Sequence, residues 1–347
     1  MTRRLTFAYP GDLDLRTGGY GYDRRILGEL EALGWSVDRL PLGDGFPFPE
    51  PLVLAEAERR LSAARRDAPL MIDGLAYGVL DGWAEREGRG RAAVALVHHP
   101  LALETGLSAE AEERLRRSET RALAAARHVV VTSALTRRAL VEGYGVAAGR
   151  ITVAPPGTDR RPLAARNGTP PHILSIGTLT PRKGHDVLLA ALAALGDLPW
   201  RATILGGDAL DPPTAAALRA LRDDLGLAGR VAMPGETADS RAAMAEADIF
   251  ALATRYEGYG MVFAEALSQG LPIVATAAGA VPDVVPAEAG LLVPVDDADA
   301  FAGALRLLLK DPEERRRRGD AAARAGRQLP AWRETAQVIA GLLERLA

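Results

Sequence analysis

Two glutamates, eight positions apart, flank a glycine turn in the segment RYEGYGMVFAEALSQGLPIVAT, residues 255–276. Glu257 stands just before the turn, and Glu265 lies one turn into the helix that the apolar spacing predicts over residues 261–267. A carboxylate accepts two hydroxyl protons at once, so each glutamate could hold a diol. The other interpretation is ordinary charge on the surface of a helix and its loop.

The turn itself consists of Gly258, Tyr259 and Gly260. Its two glycines would let a ligand approach the backbone closely. The N–H groups of Gly260, Met261 and Val262 would open the following helix, and a helix N-terminus is a phosphate site. A diphosphate held between two diols describes a nucleotide-sugar, which is the ligand class that this segment predicts.

A second segment, SIGTLTPRKGHDVLLAAL at residues 175–192, carries two adjacent cations after a predicted strand. The strand ends at Gly177, and the loop holds Arg182 and Lys183 before a helix begins near His185. Two cations at this position can neutralise a diphosphate leaving group, which a metal ion does in other enzymes. An arginine-lysine pair taken alone is more often surface charge, and its place in the same half of the chain as the glutamates favours the ligand interpretation.

The glycine-rich segment TGGYGYD, residues 17–23, also precedes a predicted helix. It is not a dinucleotide fingerprint, because Gly-x-Gly-x-x-Gly would require glycine in place of Arg24. We therefore expect Gly18 and Gly19 to belong to a flexible loop that lines a cleft, with Tyr20 on its acceptor side.

Paired histidines follow a predicted strand in LVHHPLALETGL, residues 96–107. A metal site would need a third ligand, and Glu104 is the candidate nearest to His98 and His99. The alternatives are a histidine that hydrogen-bonds substrate, which we favour, and a structural cap. The pattern leaves open which histidine points into a cleft, and His99 and Glu104 are the candidates for its acceptor side.

Short apolar runs alternate with helical patterns along the chain, which predicts parallel sheets covered by helices. The predicted strands are residues 5–9, 36–40, 70–73, 93–98, 128–132, 151–154, 172–177, 201–206, 231–233, 249–253, 272–275 and 291–293. The predicted helices are residues 21–33, 110–126, 186–195, 214–225, 241–247, 261–267 and 298–309. The fold class is α/β, with two Rossmann-like doubly wound domains facing each other across a cleft.

The polar, proline-rich stretch 159–171 is the predicted linker between the two domains. We expect an N-terminal domain over residues 1–162, a C-terminal domain over 163–330, and a final helix over 331–347 that packs back toward the first domain. The arginine run 315–318 would lie at the end of a helix that begins near Asp311, where it suits the helix dipole, and is not a nucleic-acid patch.

Composition narrows the functional classes. The chain has 347 residues, 48% of them hydrophobic and 25% charged, with a formal net charge of −3 and no cysteine. Disulfides, thiolate metal sites and a cysteine nucleophile are excluded, and no general attraction for nucleic acid is expected. The N-terminus predicts a strand instead of a signal peptide, and no apolar run is long enough for a membrane span. We expect a cytoplasmic protein, with peripheral membrane contact left open.

Together these motifs resemble the retaining glycosyltransferases of family 4, which have the GT-B architecture. The resemblance rests on the E-x7-E pair in EGYGMVFAEALSQGLPIVAT, on IGTLTPRKG, on TGGYG, on LVHHP and on the closing helix AWRETAQVIAGLLERL, and so covers nearly the full chain. It implies an N-terminal acceptor-binding domain and a C-terminal donor-binding domain.

The resemblance also implies roles for single residues. Glu265 would bind the ribose hydroxyls, while Glu257 and His98 would contact the transferred sugar. The side chains of Arg182 and Lys183 and the N–H groups of Gly260, Met261 and Val262 would hold the donor diphosphate. Gly18, Gly19, Gly258 and Tyr259 would lie beside the donor. Gly235 would border the nucleotide base. The chain departs from the family at Thr178, where many members have arginine, and Arg182 would supply that charge from further along the loop.

The implied activity is transfer of a hexose-type sugar, with retention and without a metal, from a nucleoside-diphosphate sugar to an acceptor hydroxyl. UDP is the first expectation for the nucleotide and GDP the second, and the acceptor could be a glycan, a lipid or a small molecule. The alternatives are a nucleotide-sugar epimerase of the same fold, which needs no acceptor, and a non-catalytic sugar-nucleotide-binding protein. The missing fingerprint disfavours a nicotinamide oxidoreductase.

Overall fold

A computed structural model describes residues 3–346 of the chain. Residues 3–157 together with 330–346 form one compact unit, and Thr158–Leu329 forms the other. Within the described part of the chain, every helix is too short or too polar to cross a membrane.

The first unit is built on a six-stranded parallel sheet with the order β2-β1-β3-β4-β5-β6. Its strands are β1 Arg3–Tyr9, β2 Trp35–Pro41, β3 Leu70–Asp73, β4 Ala93–Val97, β5 His128–Val131 and β6 Ile151–Val153. Its helices are α1 Gly18–Ala32, α2 Pro51–Ala63, α3 Gly74–Tyr77, α4 Asp81–Trp83, α5 Ala109–Ala125 and α6 Ala134–Tyr144, together with the last helix of the chain, Trp332–Leu346.

The second unit has a six-stranded parallel sheet of order β12-β11-β10-β7-β8-β9. Its strands are β7 His172–Ile176, β8 Arg201–Leu205, β9 Val231–Gly235, β10 Ile249–Leu252, β11 Ile273–Thr276 and β12 Gly290–Val293. Its helices are α7 His185–Ala193, α8 Pro212–Asp224, α9 Ser240–Ala245, α10 Met261–Ser268, α11 Val281–Val284, α12 Ala298–Lys310 and α13 Pro312–Gly326, so that Trp332–Leu346 is α14.

The apolar runs form strands because helices cover both faces of each sheet, so every side chain of a central strand is buried. All five residues of β4 and all four of β10 are buried. The chain order reverses between β1 and β3 in the first sheet and between β7 and β10 in the second. Such reversals open a crevice at the carboxyl ends of the strands, where α/β proteins bind ligands. The predicted pair of doubly wound α/β domains is confirmed.

Three local expectations differ from the structure. Helix α1 begins at Gly18, so the first glycines form its first turn instead of a loop, with Thr17 as the N-cap. Strand β4 ends at Val97 and leaves His98 as the first residue beyond it. Helix α13 does begin after Asp311, but the arginines lie near its start, so the expectation that they suit the helix dipole is wrong. Glu314 pairs with Arg317 and Arg318 there, each at 2.7 Å.

Candidate functional site

The loops after β7 and β10 leave the second sheet at its point of reversal, and they bring together residues 74 positions apart. Lys183 Nζ donates to Glu257 Oε1 at 2.5 Å, and Arg182 Nη1 lies 3.8 Å from Glu257 Oε2. Glu257 is only 6% exposed. Burial opposes its charge, yet the two cations, with hydrogen bonds from Lys183 and Thr254, hold the pKa of Glu257 below its ordinary value. The carboxylate is therefore ionised at neutral pH.

Backbone hydrogen bonds join the two loops. The N–H of Arg255 donates to the carbonyl of Arg182 at 2.7 Å, and the Thr254 hydroxyl lies 3.0 Å from the same oxygen. The Arg255 guanidinium donates to the carbonyl of Pro181 and pairs with Asp186 at 2.7 Å. These contacts fix the short helical turn Pro181–Lys183, so the two cations are held in place before any ligand binds.

Two glycines make this close approach possible. Gly184 has a φ of +62°, and an added Cβ would lie 1.9 Å from the carbonyl oxygen of Ala253. Gly279 has a φ of +53°, and its Cβ would lie 2.3 Å from the carbonyl oxygen of Glu257. Both the positive φ and the lack of space require glycine at these positions.

Helix α10 begins directly after the glutamate loop. Its N-cap is Gly260, which has a φ of +91°, and Met261 is its first residue. Met261 and Val262 are half-buried in the first turn, and Glu265 lies one turn further, also half-buried. The charge of Glu265 acts on Arg241, which donates to Ser268 at 2.6 Å. Glu257 therefore precedes the start of α10 and Glu265 lies within this helix, as the E-x7-E spacing predicts.

Four further predicted donor residues lie on the same unit, whereas Gly18 and Gly19 lie on the first unit. Gly258 is buried, Tyr259 is half-buried, and burial raises the pKa of Tyr259 to about 12. Thr178 is half-buried in the loop after β7. Gly235 is the last residue of β9, with a φ of +93°, and its carbonyl accepts from Gly206.

In the first unit, His98 lies among side chains that the sequence reading did not single out. Its Nε2 is 3.1 Å from Asp23 Oδ1 and 3.9 Å from Asp73 Oδ2. Asp23 and Asp73 are 1% and 2% exposed. Among the described residues, these three are the one group of acidic and histidine side chains with the spacing of a metal site, with all ligand atoms within 4.8 Å of one another.

The glycine segment packs against this histidine. A Cβ on Gly19 would meet the His98 ring at 3.2 Å, whereas a Cβ on Gly18 would enter open space. The Tyr20 hydroxyl donates to the carbonyl of Pro10 at 2.8 Å. Burial, followed by the charge of Asp73, raises the pKa of Tyr20, so this hydroxyl is neutral.

His99 does not join His98. Its Nε2 lies 3.3 Å from Glu104 Oε2, and both side chains are partly exposed. Because His98 turns to Asp23 instead, the two histidines and Glu104 do not form one ligand group within residues 3–346.

Asp23, Asp73 and Arg255 are the residues that sequence reasoning missed. Asp73 ends a buried strand, where a polar residue is a usable signal of a site. Asp23 and Arg255 follow no spacing that would have identified them.

Comparisons with known proteins agree with this geometry. Residues 25–161 match the family model Glycosyltransferase Family 4, and residues 158–325 match Glycosyl transferases group 1. A sucrose-phosphate synthase structure from Thermosynechococcus elongatus superposes with a TM-score of 0.84 at 24% identity, covering 99% of both chains. At that identity the likeness shows the fold alone, which is GT-B.

Two curated relatives are similar in sequence. The D-inositol 3-phosphate glycosyltransferase of Corynebacterium glutamicum is 34% identical over 54% of this chain and 47% of its own. The GDP-mannose-dependent alpha-(1-6)-phosphatidylinositol monomannoside mannosyltransferase of Mycobacterium tuberculosis is 34% identical over 58% and 56%, respectively. The chain spans about half the length of these relatives.

The two family models together span residues 25–325, so the chain belongs to glycosyltransferase family 4.

Proposed function

We propose that this chain transfers a hexose-type sugar from a nucleoside-diphosphate sugar to an acceptor hydroxyl, with retention of the anomeric configuration. The observation that carries the proposal is the ion cluster of buried Glu257 with half-buried Lys183 and Arg182. Glu257 stands in the loop directly before the N-terminus of α10.

The charges of this cluster suit a diphosphate. Two cations face one carboxylate, so the cluster has a surplus positive charge before a donor binds. The N-terminus of α10 adds partial positive charge. Arg182 and Lys183, with the N–H groups of Gly260, Met261 and Val262, would hold the two phosphates and stabilise the charge that develops on the leaving group. A divalent metal is unnecessary in this proposal.

The two glutamates would orient the sugars on either side of the diphosphate. Glu257 is ionised and can accept from the hydroxyls of the transferred sugar, and Glu265 from those of the ribose. Gly258, Tyr259 and Thr178 would border the donor, and Gly235 its base. UDP and GDP both remain candidates, and the GDP-mannose dependence of the mycobacterial relative supports testing GDP as early as UDP.

The retaining reaction needs no protein base in this proposal. The acceptor would approach on the face from which the diphosphate leaves, and a phosphate oxygen would take the acceptor's proton. The proton then ends on the departing nucleotide, and the new glycosidic bond replaces the bond to phosphate.

We assign acceptor binding to the first unit. His98 would contact the transferred sugar, and Gly18, Gly19, Tyr20, His99 and Glu104 are the proposed neighbours of the acceptor. The two curated relatives are named for inositol-containing acceptors, so cyclic polyols are the first acceptor class to test, followed by glycans and lipids.

The test is incubation with radiolabelled UDP- and GDP-sugars and a polyol panel in excess chelator. We expect a glycosylated product, and NMR should show that its anomeric configuration is that of the donor. An inverted product would refute retention. Activity that appears only with added Mg²⁺ or Mn²⁺ would refute the metal-free mechanism. Conversion of the donor to another sugar without acceptor would identify an epimerase instead.

A further inference from the structure

Asp23, Asp73 and His98 meet where the chain order reverses in the first sheet. Asp23 comes from α1, Asp73 ends β3, and His98 follows β4. His98 Nε2 lies 3.1 Å from Asp23 Oδ1 and 3.9 Å from Asp73 Oδ2, and one oxygen of each carboxyl group lies within 4.8 Å of the other. Neither the fold nor the comparisons assign a role to this pair of acids.

The charged and titratable groups around the pair do not neutralise it. The charge of Arg24 lowers the pKa of Asp23 in part, but its guanidinium donates to the carbonyls of Leu13 and Leu15 instead of to either acid. The hydroxyl of Tyr20 donates to Pro10, and that of Tyr22 donates to Ala154 at 2.9 Å. Protonation of the acids themselves must therefore reduce the negative charge at this position.

A single proton shared by Asp23 and Asp73 would reduce the charge of the pair from −2 to −1. Two carboxyl groups within 4.8 Å of each other and both buried strongly oppose ionisation of the second one. Asp23 Oδ2 is buried without a hydrogen-bond partner if both acids are ionised, since neither then has a hydrogen to donate. A proton shared between the two acids would give that oxygen a hydrogen-bond partner. Burial raises the pKa of both carboxyl groups, and for Asp73 the charge of Asp23 raises it further.

The charge on the two acids determines which ring nitrogen of His98 carries the hydrogen. Burial lowers the pKa of His98, against a smaller opposing effect of Asp73, so its ring is neutral. The remaining negative charge lies beside Nε2, which then donates its hydrogen to Asp23. In a neutral imidazole the other nitrogen, Nδ1, must be a hydrogen-bond acceptor.

We propose that Asp23 and Asp73 share one proton and are positioning residues for His98: they fix its Nε2–H tautomer, so that Nδ1 accepts a hydrogen bond from a sugar hydroxyl. Neighbouring residues hold the His98 ring in the orientation that directs Nε2 toward Asp23. The hydroxyl of Thr132 donates to the carbonyl of His98 at 3.1 Å, and the ring packs edge-on to Tyr22 at 5.3 Å. The contact with a sugar hydroxyl rests on the proposed function, whereas the tautomer does not.

The tautomer is measurable without any substrate. Two-bond ¹H–¹⁵N correlation spectra distinguish the two neutral tautomers and the imidazolium, and His98→Gln assigns the signal among five histidines. We expect the Nε2–H form in the wild type between pH 6 and 7.5. Asp23→Asn keeps an oxygen acceptor and should keep this tautomer, whereas Asp23→Ala should give a mixture. An Nδ1–H or imidazolium signal in the wild type would overturn the proposal, even if no variant folds.

The same spectra test for a metal. Mn²⁺ that selectively broadens the His98 signals, or Zn²⁺ that shifts them at stoichiometric amounts, would show that the three side chains bind a cation and would refute the shared proton. Unchanged spectra are the expected result.

An activity measurement then tests the link to the proposed function. Asp23→Ala should lower kcat about tenfold, the value of one hydrogen bond of about 1.4 kcal/mol, and Asp23→Asn should recover part of the loss. If the wild type has the Nε2–H tautomer but Asp23→Ala leaves kcat unchanged, the contact between His98 and a sugar hydroxyl is refuted, whereas the tautomer assignment stands. If no donor is turned over at all, the proposed function fails while the tautomer result stands.

Discussion

Replacing Lys183 by methionine removes the ammonium that lies 2.5 Å from Glu257 and keeps a side chain of similar shape. The buried carboxylate then retains one cation, Arg182 at 3.8 Å, and the Thr254 hydroxyl at 3.2 Å. Breaking a buried ion pair costs about 3–5 kcal/mol, because one charge is left buried without its partner. Since Arg182 compensates in part, we expect the free energy of unfolding to fall by about 3 kcal/mol at pH 7.

A double-mutant cycle isolates the pair. Glu257→Gln in the Lys183→Met background removes the orphaned charge, so the double variant should be less destabilised than the sum of the single variants by at least about 1 kcal/mol. Urea denaturation followed by circular dichroism measures all four proteins. Lys310→Met, at the chain's only other lysine, is the matched control, and this exposed residue should change stability by less than about 0.5 kcal/mol.

The stability difference between the wild type and Lys183→Met should also depend on pH, in a direction set by the pKa of Glu257. The pKa of Glu257 is lowered in the folded wild type, so its contribution is present above the unfolded pKa of 4.5 and is lost as pH falls through the folded value. The gap between wild type and Lys183→Met should therefore shrink below pH 4.5. Equal stability of Lys183→Met and Lys310→Met, or additive effects in the cycle, would refute the reasoning.

Three further changes test the supporting structure. Arg255→Ala should lower kcat/KM for the donor about tenfold, because its hydrogen bonds, each about 1 kcal/mol, hold the turn with the two cations; Arg306→Ala, at an exposed pair, should not. Burial raises the pKa of Glu119 to about 8, so its contribution to stability is lost as pH rises from its unfolded pKa of 4.5 to about 8. Between pH 5 and pH 9 the urea midpoint should therefore fall further for the wild type than for Glu119→Gln, in which the raised pKa values of Asp23 and Asp73 still contribute. Gly184→Ala should lower Tm well beyond Gly226→Ala, since both have positive φ but only Gly184 lacks space for a Cβ; equal shifts would contradict this.

Part of the structure around Lys183 and Glu257 could be predicted because its signals are local. Apolar runs predicted the strands, and cations or glutamates directly after two of them drew attention to the two loops that the structure brings together. Lys183 and Glu257 become neighbours because β7 and β10 are adjacent in a doubly wound sheet. Their direct 2.5 Å contact did not follow from spacing, since it depends on the exact path of both loops.

The acceptor side was less predictable for a physical reason. Asp23 stands among charged residues in a helix, where a solvent-facing position is the ordinary expectation, yet its side chain is buried near Asp73, which ends β3, and His98, which follows β4. Its partners lie 50 and 75 positions away, so only tertiary structure identifies them. The arginines of α13 were misplaced because the helix end was not predicted, and Gly18 was placed outside α1 because glycine disfavours helix.

The most direct test of the donor site is calorimetric titration of UDP and GDP, in excess chelator, into the wild type, Lys183→Met and Lys310→Met. One of the two nucleotides should bind the wild type and Lys310→Met equally well, and should bind Lys183→Met about ten- to a hundredfold more weakly, as expected for a hydrogen bond to a charged group. Failure of both nucleotides to bind, or unchanged affinity in Lys183→Met, would contradict a diphosphate site built on Lys183 and Glu257.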